Sequence, residues 1–207
     1  MHKEIKLVSK RNIVIRIIKE GNTYIGKKFI NSENYLREKE ALYMLKNAGV
    51  NVPSIIKADD NILYLEDLGE NTLLDWYEES ERQNTLDITV IYELCNWLKA
   101  FYNASFDYYN EQIILYDVNF KNFIIRENKI YGIDFEQSRK GSLSEDAGKL
   151  SAYALTYNPA MTEWKISFRN IFIEILSKKL NLTKETIITE EIKELSAIEK
   201  RRGAIKQ

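Results

Sequence analysis

The stretch from Leu115 to Glu136 constrains this chain more than any other. It reads Leu-Tyr-Asp-Val-Asn-Phe-Lys-Asn-Phe-Ile-Ile-Arg-Glu-Asn-Lys-Ile-Tyr-Gly-Ile-Asp-Phe-Glu. Asp117 and Asn122 stand five apart in a polar loop. Phe123-Ile124-Ile125 follow as a short apolar strand, Arg126 to Lys129 form its turn, and Ile130 to Ile133 return as a second strand ending at Asp134. Three groups able to serve a metal–nucleotide site, Asp117, Asn122 and Asp134, therefore sit at one end of a predicted hairpin. Singly, Asp and Asn are turn formers, because they tolerate the left-handed region and bond their own backbone. The ordered set, with a hairpin between its parts, is much harder to obtain by accident.

The rest of the composition narrows the chemistry. A single cysteine, Cys95, excludes internal disulfides and cysteine-based zinc sites, and its place on an apolar helical stripe reads as a buried structural thiol. A single histidine, His2, lies at the terminus, which removes triads and histidine acid–base chemistry. Catalysis must then rest on carboxylates, lysine and metal. With 30 basic and 31 acidic residues the net charge is −1, so no global field favours nucleic acid or a membrane surface. No apolar run is long enough to span a bilayer, and Met1-His2-Lys3-Glu4 leads into a polar strand rather than a signal core. A cytoplasmic protein is expected. At 207 residues the chain has room for one domain or two small lobes.

Taken in order, residues 4–8 and 13–18 read as strands joined at Ser9-Lys10-Arg11-Asn12, and Thr23 to Ile30 as a third, with Ile25, Lys27 and Phe29 on one face. Ser32 or Asn34 is expected to cap a helix to about Ala48, stopped by Gly49. On that helix Glu38 falls in line with Leu42 and Leu45, and a carboxylate on a buried face demands a partner. Residues 52–58 and 62–66 complete five strands, after which the pattern turns helical. Leu73, Leu74, Trp76 and Tyr77 form one apolar helix, and Glu78 to Gln83 read as a solvated charge run. Ile91, Leu94, Cys95, Leu98 and Phe101 mark a long buried helix. Residues 137–145 read as a polar loop, with Asp146 and Lys149 preceding a helix over 150–157 that ends before Pro159. Two more amphipathic helices follow. One carries Phe168, Ile171, Phe172, Ile175 and Leu176. The other runs from about Thr186 to Arg202, with Ile188, Ile192 and Leu195 on its stripe and Lys200-Arg201-Arg202 set against its dipole.

Phosphoryl transfer needs a carboxylate to orient the acceptor hydroxyl, and an amide oxygen and a second carboxylate to hold Mg²⁺ against the phosphates. The spacing Asp117-x-x-x-x-Asn122, the hairpin, and Asp134-Phe135 resemble the kinase signature. With Glu136 in third place, and Gly141 and Asp146 following, the segment is similar to the aminoglycoside phosphotransferase and choline kinase branch of the protein-kinase-like superfamily. The run Arg-Glu-Lys-Glu-Ala-Leu-Tyr-Met-Leu-Lys-Asn-Ala-Gly-Val-Asn-Val-Pro resembles that branch's N-lobe helix and its exit. The compact size is closer to the kinase of the KEOPS tRNA-modification complex and the RIO kinases. Two positions depart from the family: the first turn has no glycine, and Leu115-Tyr116 stands where His-Gly or His-Arg is usual.

The resemblance implies an α+β, bilobal protein-kinase-like fold. An N-lobe over residues 1–68 would hold a five-stranded antiparallel sheet and one helix. A mostly helical C-lobe would follow over 69–207. Lys27 (Lys28 second) would pair the α- and β-phosphates, held by Glu38 (Glu40 second). Glu66 and Leu68 would lie at the adenine-binding hinge. Asp117 would orient the acceptor, Asn122 and Asp134 would hold Mg²⁺, and Asp146 would support the catalytic loop. The expected activity is transfer of the γ-phosphate of ATP or GTP to a hydroxyl of a small molecule. The alternatives are an atypical protein serine/threonine kinase, a pseudokinase acting as a binding or scaffold module, and a kinase fold that transfers a nucleotidyl group. The partners implied are a nucleotide and a hydroxyl-bearing acceptor. A protein partner stays open, and neither membrane nor nucleic acid is expected.

Overall fold

The computed structural model describes residues 2–205. Five strands form one antiparallel sheet: β1 (His2–Leu7), β2 (Ile13–Lys19), β3 (Asn22–Lys28), β4 (Ile55–Asp59) and β5 (Ile62–Glu66). Their spatial order is β1-β2-β3-β5-β4. Two hairpins close through residues with positive φ, Glu20-Gly21 and Asp60-Asn61, the twist that tight antiparallel turns require. Helix α1 (Ser32–Asn47) crosses between β3 and β4 and buries Glu38, Ala41, Leu42, Met44 and Leu45. Its cap is Asn31, whose side chain accepts from the amides of Glu33 and Asn34, and not Ser32 or Asn34 as expected. β4 starts only at Ile55, because Val52 and Pro53 are buried in the core as the chain enters it.

The remainder is mostly helical. It comprises α2 (Leu73–Arg82), α3 (Ile88–Tyr109), α4 (Leu143–Thr156), α5 (Glu163–Leu180) and α6 (Lys184–Ile205). Two small ribbons interrupt the helices: β6 (Ile113–Ile114) with β9 (Arg139–Lys140), and the hairpin β7 (Phe123–Arg126) with β8 (Lys129–Gly132). Helix α3 is the floor of this half, contacting α1, α5, β6 and β8. Trp97 stacks on Phe101 with centroids 5.6 Å apart and meets Phe123 edge-on at 5.3 Å. Phe135 lies over Phe101 at 6.1 Å. Each such buried ring contributes about 1.5–3 kcal/mol by leaving water. Gly132 has to be glycine, since a Cβ there would enter the Trp97 indole. The Trp97 indole N–H and the Gly132 amide both donate to the Asn51 carbonyl, which ties the exit of α1 to the hairpin. Cys95 is buried as expected.

Three readings are corrected. Helix α4 begins at Leu143, not Leu150, because Ser142 and Glu145 form a reciprocal capping box; Asp146 and Lys149 are therefore inside the helix. The 78–83 run is not all solvated: Glu81 pairs with Lys165, which is fully buried on α5 beneath Tyr77. On α6 the inward stripe is Ile187, Glu191 and Ile198, while Ile192 faces solvent. A buried salt bridge from Arg169 to Glu191, with the Ser151 hydroxyl also donating, sets that phase. At the end of α6, Arg201 pairs with Glu194 and Arg202 donates to the Thr156 carbonyl, so both have specific partners beyond the helix dipole. No helix among the described residues is long and apolar enough to cross a membrane.

Candidate active site

The segment 115–122 is held from below by one carboxylate. Asp146 is 0 % exposed. It accepts the Leu115 amide at 2.7 Å, the Tyr116 amide at 3.0 Å and the Tyr102 hydroxyl at 3.1 Å. Burial pushes its pKa up to about 6, while the three hydrogen bonds and Lys149 pull the other way. The clamp holds Tyr116 at φ 62°, a left-handed conformation that L side chains rarely adopt. The Tyr116 ring lies between Arg139 and Lys149, whose cationic groups are 3.9 and 3.8 Å from its centroid. Asp117 follows directly, with its amide bonded back to the Leu115 carbonyl.

A short 3₁₀ turn, Phe120–Asn122, capped by the Asn119 side chain, then leads into β7. The Asn122 Nδ2 donates to the Asp117 carbonyl at 2.8 Å, which leaves its Oδ1 without a protein donor among the described residues. The Asn122 carbonyl accepts the Ile133 amide at 2.9 Å. So the base of the hairpin is pinned and Asp134 comes back beside Asn122. Asp134 has φ 67°, and its Oδ2 likewise meets no protein donor.

Opposite stands Lys27 on β3, 7 % exposed. Its Nζ lies 2.7 Å from Asp134 Oδ1, 3.4 Å from Glu38 Oε1 and 3.7 Å from Glu136 Oε2. Burial alone would lower the Lys27 pKa, but Glu38, Asp134 and Glu136 reverse this and hold it raised. One lysine shared by three carboxylates leaves the group in greatest need of charge relief unsatisfied. Glu38, 2 % exposed, is pushed above the usual carboxylate range by its burial. Its Oε2 also accepts the Phe135 amide, so α1 is joined to the segment after Asp134. Lys28, the second choice, is exposed, and so is Glu40.

These side chains line one open cleft of about 970 Å³ between the sheet and the helical half. That is large enough for a nucleotide with a small acceptor. Glu66, Asp67, Leu68 and Gly69 line its far wall. The Glu66 carboxylate is taken up by the Ser54 amide and hydroxyl and by Arg126. These partners hold its pKa low against the burial that would raise it. The Glu66 side chain is therefore committed within the protein, and its amide donates to the Ser54 carbonyl at 2.9 Å.

Sequence reasoning missed the contacts that four residues make at or beside this cleft. Glu136, 1 % exposed, receives Asn12 and lies near Lys27 and Arg11. Arg37 donates to the Glu136 carbonyl at 2.8 Å. Arg11, which the sequence places in the turn between the first two strands as a charge that could meet phosphate, reaches Asp117 Oδ2 at 2.7 Å.

Among the described residues, no group of three or more His, Cys, Asp and Glu side chains forms a metal cage. Mg²⁺ does not need one. It takes one or two protein oxygens and completes its shell with water and phosphate. The free Asn122 Oδ1 and Asp134 Oδ2, both hard oxygens on one cleft wall, fit that requirement.

Over residues 9–150 the chain matches the family model described as the RIO domain. Among solved structures it is similar to amicoumacin kinase hAmiN in complex with AMP-PNP, Ca²⁺ and Ami. The TM-score is 0.63 at 13% identity, covering 85% of this chain and 72% of that one, a likeness of fold. No curated protein matches the chain.

Proposed function

The chain belongs to the RIO-domain family of protein-kinase-like phosphotransferases, and we propose that it transfers the γ-phosphoryl group of ATP to a hydroxyl of a small molecule. The observation that carries this reading is the convergence of Lys27, Glu38, Asp117, Asn122 and Asp134 on one cleft, although up to 107 positions separate them in the chain. The sheet lobe, residues 1–68, covers the nucleotide, and the helical lobe, residues 69–207, presents the catalytic loop. Lys27, held by Glu38, gives up its contact with Asp134 to pair the α- and β-phosphates. Main-chain groups at Glu66 and Leu68 bond the adenine edge. Asn122 and Asp134 hold Mg²⁺, which when bound screens the negative charge of the phosphates. Asp117 receives the proton of the acceptor hydroxyl as its oxygen bonds to the γ-phosphorus. The bond to the β-phosphate oxygen breaks, and ADP leaves. Asp146 fixes the backbone from which Asp117 projects.

Two observations support a small acceptor. Only residues 135–142 separate Asp134 from α4, which is short for a platform that binds a protein chain. The similar solved structure holds a small molecule named Ami together with AMP-PNP. A protein hydroxyl is the second reading, kept open because the RIO-domain match does not separate the two acceptor classes. ATP as substrate suits the cytoplasm.

The test is thermal stability with and without Mg²⁺–ATP and Mg²⁺–GTP, for the wild type and Asp134→Asn. A nucleotide at 100 times its Kd adds about 2.7 kcal/mol. The expected result is a Mg²⁺-dependent rise with ATP that the variant lacks, and ATP turnover that Asp117→Asn abolishes. No rise with either nucleotide at millimolar concentration overturns the reading.

A further inference from the structure

Loops that cradle phosphate favour glycine, because backbone N–H groups approach the anion most closely where side chains are absent. The turn that reaches over this cleft, Ser9 to Asn12, has no glycine. It is nevertheless anchored. The Ser9 hydroxyl accepts the Asn12 amide at 3.3 Å, and the Asn12 side-chain amide donates to Glu136, a buried carboxylate that Lys27 also approaches. That anchoring sets the Arg11 guanidinium 2.7 Å from Asp117 Oδ2 and 3.8 Å from Glu136 Oε1. It stands at the junction where, on the nucleotide reading, the acceptor and the transferred group must meet.

We propose that Arg11 is a ligand of the γ-phosphate, doing with a guanidinium what a glycine-rich turn does with backbone amides. Without nucleotide it rests on Asp117. With a triphosphate bound it exchanges Asp117 for phosphate oxygens, and this frees the Asp117 carboxylate to receive the acceptor proton. The exchange costs little: both side chains are partly exposed, at 47% and 35%, and exposed ion pairs are weak. The gain is larger, because a guanidinium offers two parallel donors to phosphate and the bonds are charge-assisted. A residue acting in this way distinguishes triphosphate from diphosphate. An Arg11–Asp117 pair that merely latched the turn shut would not.

The proposal rests on the cleft binding nucleotide, and the experiment separates the two. Calorimetric affinities for Mg²⁺–AMP-PNP and Mg²⁺–ADP are measured on the full chain, for wild type, Arg11→Ala and Arg11→Lys. The expected result is a loss of about 10- to 100-fold for AMP-PNP in Arg11→Ala with ADP affinity unchanged, and a partial loss in Arg11→Lys, which keeps the charge but not the fork. Equal changes for both nucleotides, or none, overturn the role of Arg11 and leave the nucleotide site standing. A wild type that binds neither nucleotide overturns both. Because Arg11 is exposed, the variants should match the wild-type melting temperature without ligand; a variant that unfolds marks Arg11 as structural and also overturns the proposal.

Discussion

Replacing Asp146 by Asn tests how the catalytic segment is held. The native carboxylate is fully buried and receives three donors, two of them backbone amides. Its pKa rises from 3.8 to about 6, chiefly through burial. Between these values the folded state binds more protons than the unfolded chain. The contribution of this group to stability is therefore largest at low pH and falls as pH rises through that window. From pH 7.5 down to pH 4.5, protonating Asp146 adds about 2 kcal/mol to the wild type, most of it below pH 6, where the slope approaches about 1.4 kcal/mol per pH unit. The amide has no such titration. It also turns an NH₂ group towards a donor and leaves at least one buried donor unpaired, which costs about 1–3 kcal/mol. At pH 7.5 relief from the buried charge offsets that cost, and the two proteins should lie close together. At pH 4.5 the variant should fall behind by about 2 kcal/mol. Urea unfolding of both proteins at pH 7.5, 6 and 4.5 measures the difference. Glu38 also titrates, but it is present in both and cancels. A difference that stays constant with pH refutes the reasoning, because Asp146 would then titrate as an ordinary carboxylate.

Lys27→Met should destabilise the fold by about 3–5 kcal/mol, since it leaves Glu38, Asp134 and Glu136 without their shared cation. Denaturant unfolding at pH 7.5 measures this, and a loss below about 1 kcal/mol would mean the cluster is solvated rather than buried. Gly132→Ala should cost about 1–3 kcal/mol and alter the Trp97 fluorescence, because the new methyl enters the indole. Gly203→Ala, in an exposed stretch of α6 with open space around it, should instead stabilise by up to about 1 kcal/mol. If both substitutions shift the urea midpoint equally, the packing argument for Gly132 fails.

The parts of the site that lie close in sequence were legible. Asp117, Asn122 and Asp134 share one loop and one hairpin, so spacing alone brings them to one end. The pairing of Lys27 with Glu38 was legible for a different reason: an acidic residue in line with buried leucines has to find a cation. What stayed hidden was polar burial. Lys165 and Glu81 each look like surface charge, and only the packing of α5 on α2 removes them from water. The face of α6 was misjudged for the same reason, since Glu191 on the buried stripe is invisible to a count of apolar residues. The start of α4 could have been read, because Ser142-x-x-Glu145 is a capping signature. The contact of Arg11 with Asp117 could not, because the two lie 106 positions apart and the turn itself says only that a charge is available there.

Strand β1 is paired on one side only, with β2, and its side chains are exposed almost throughout. Little apolar burial opposes its peeling away, so its amide protons should exchange through a local opening well below the free energy of global unfolding. The Ser9–Asn12 turn is the direct continuation of that strand. Each such excursion loosens the Arg11 and Asn12 contacts as well and uncovers the mouth of the cleft. Entry and departure of ligands are thereby coupled to the fraying of a single edge strand, and residence time in the cleft would be adjusted from residues that never touch what is bound.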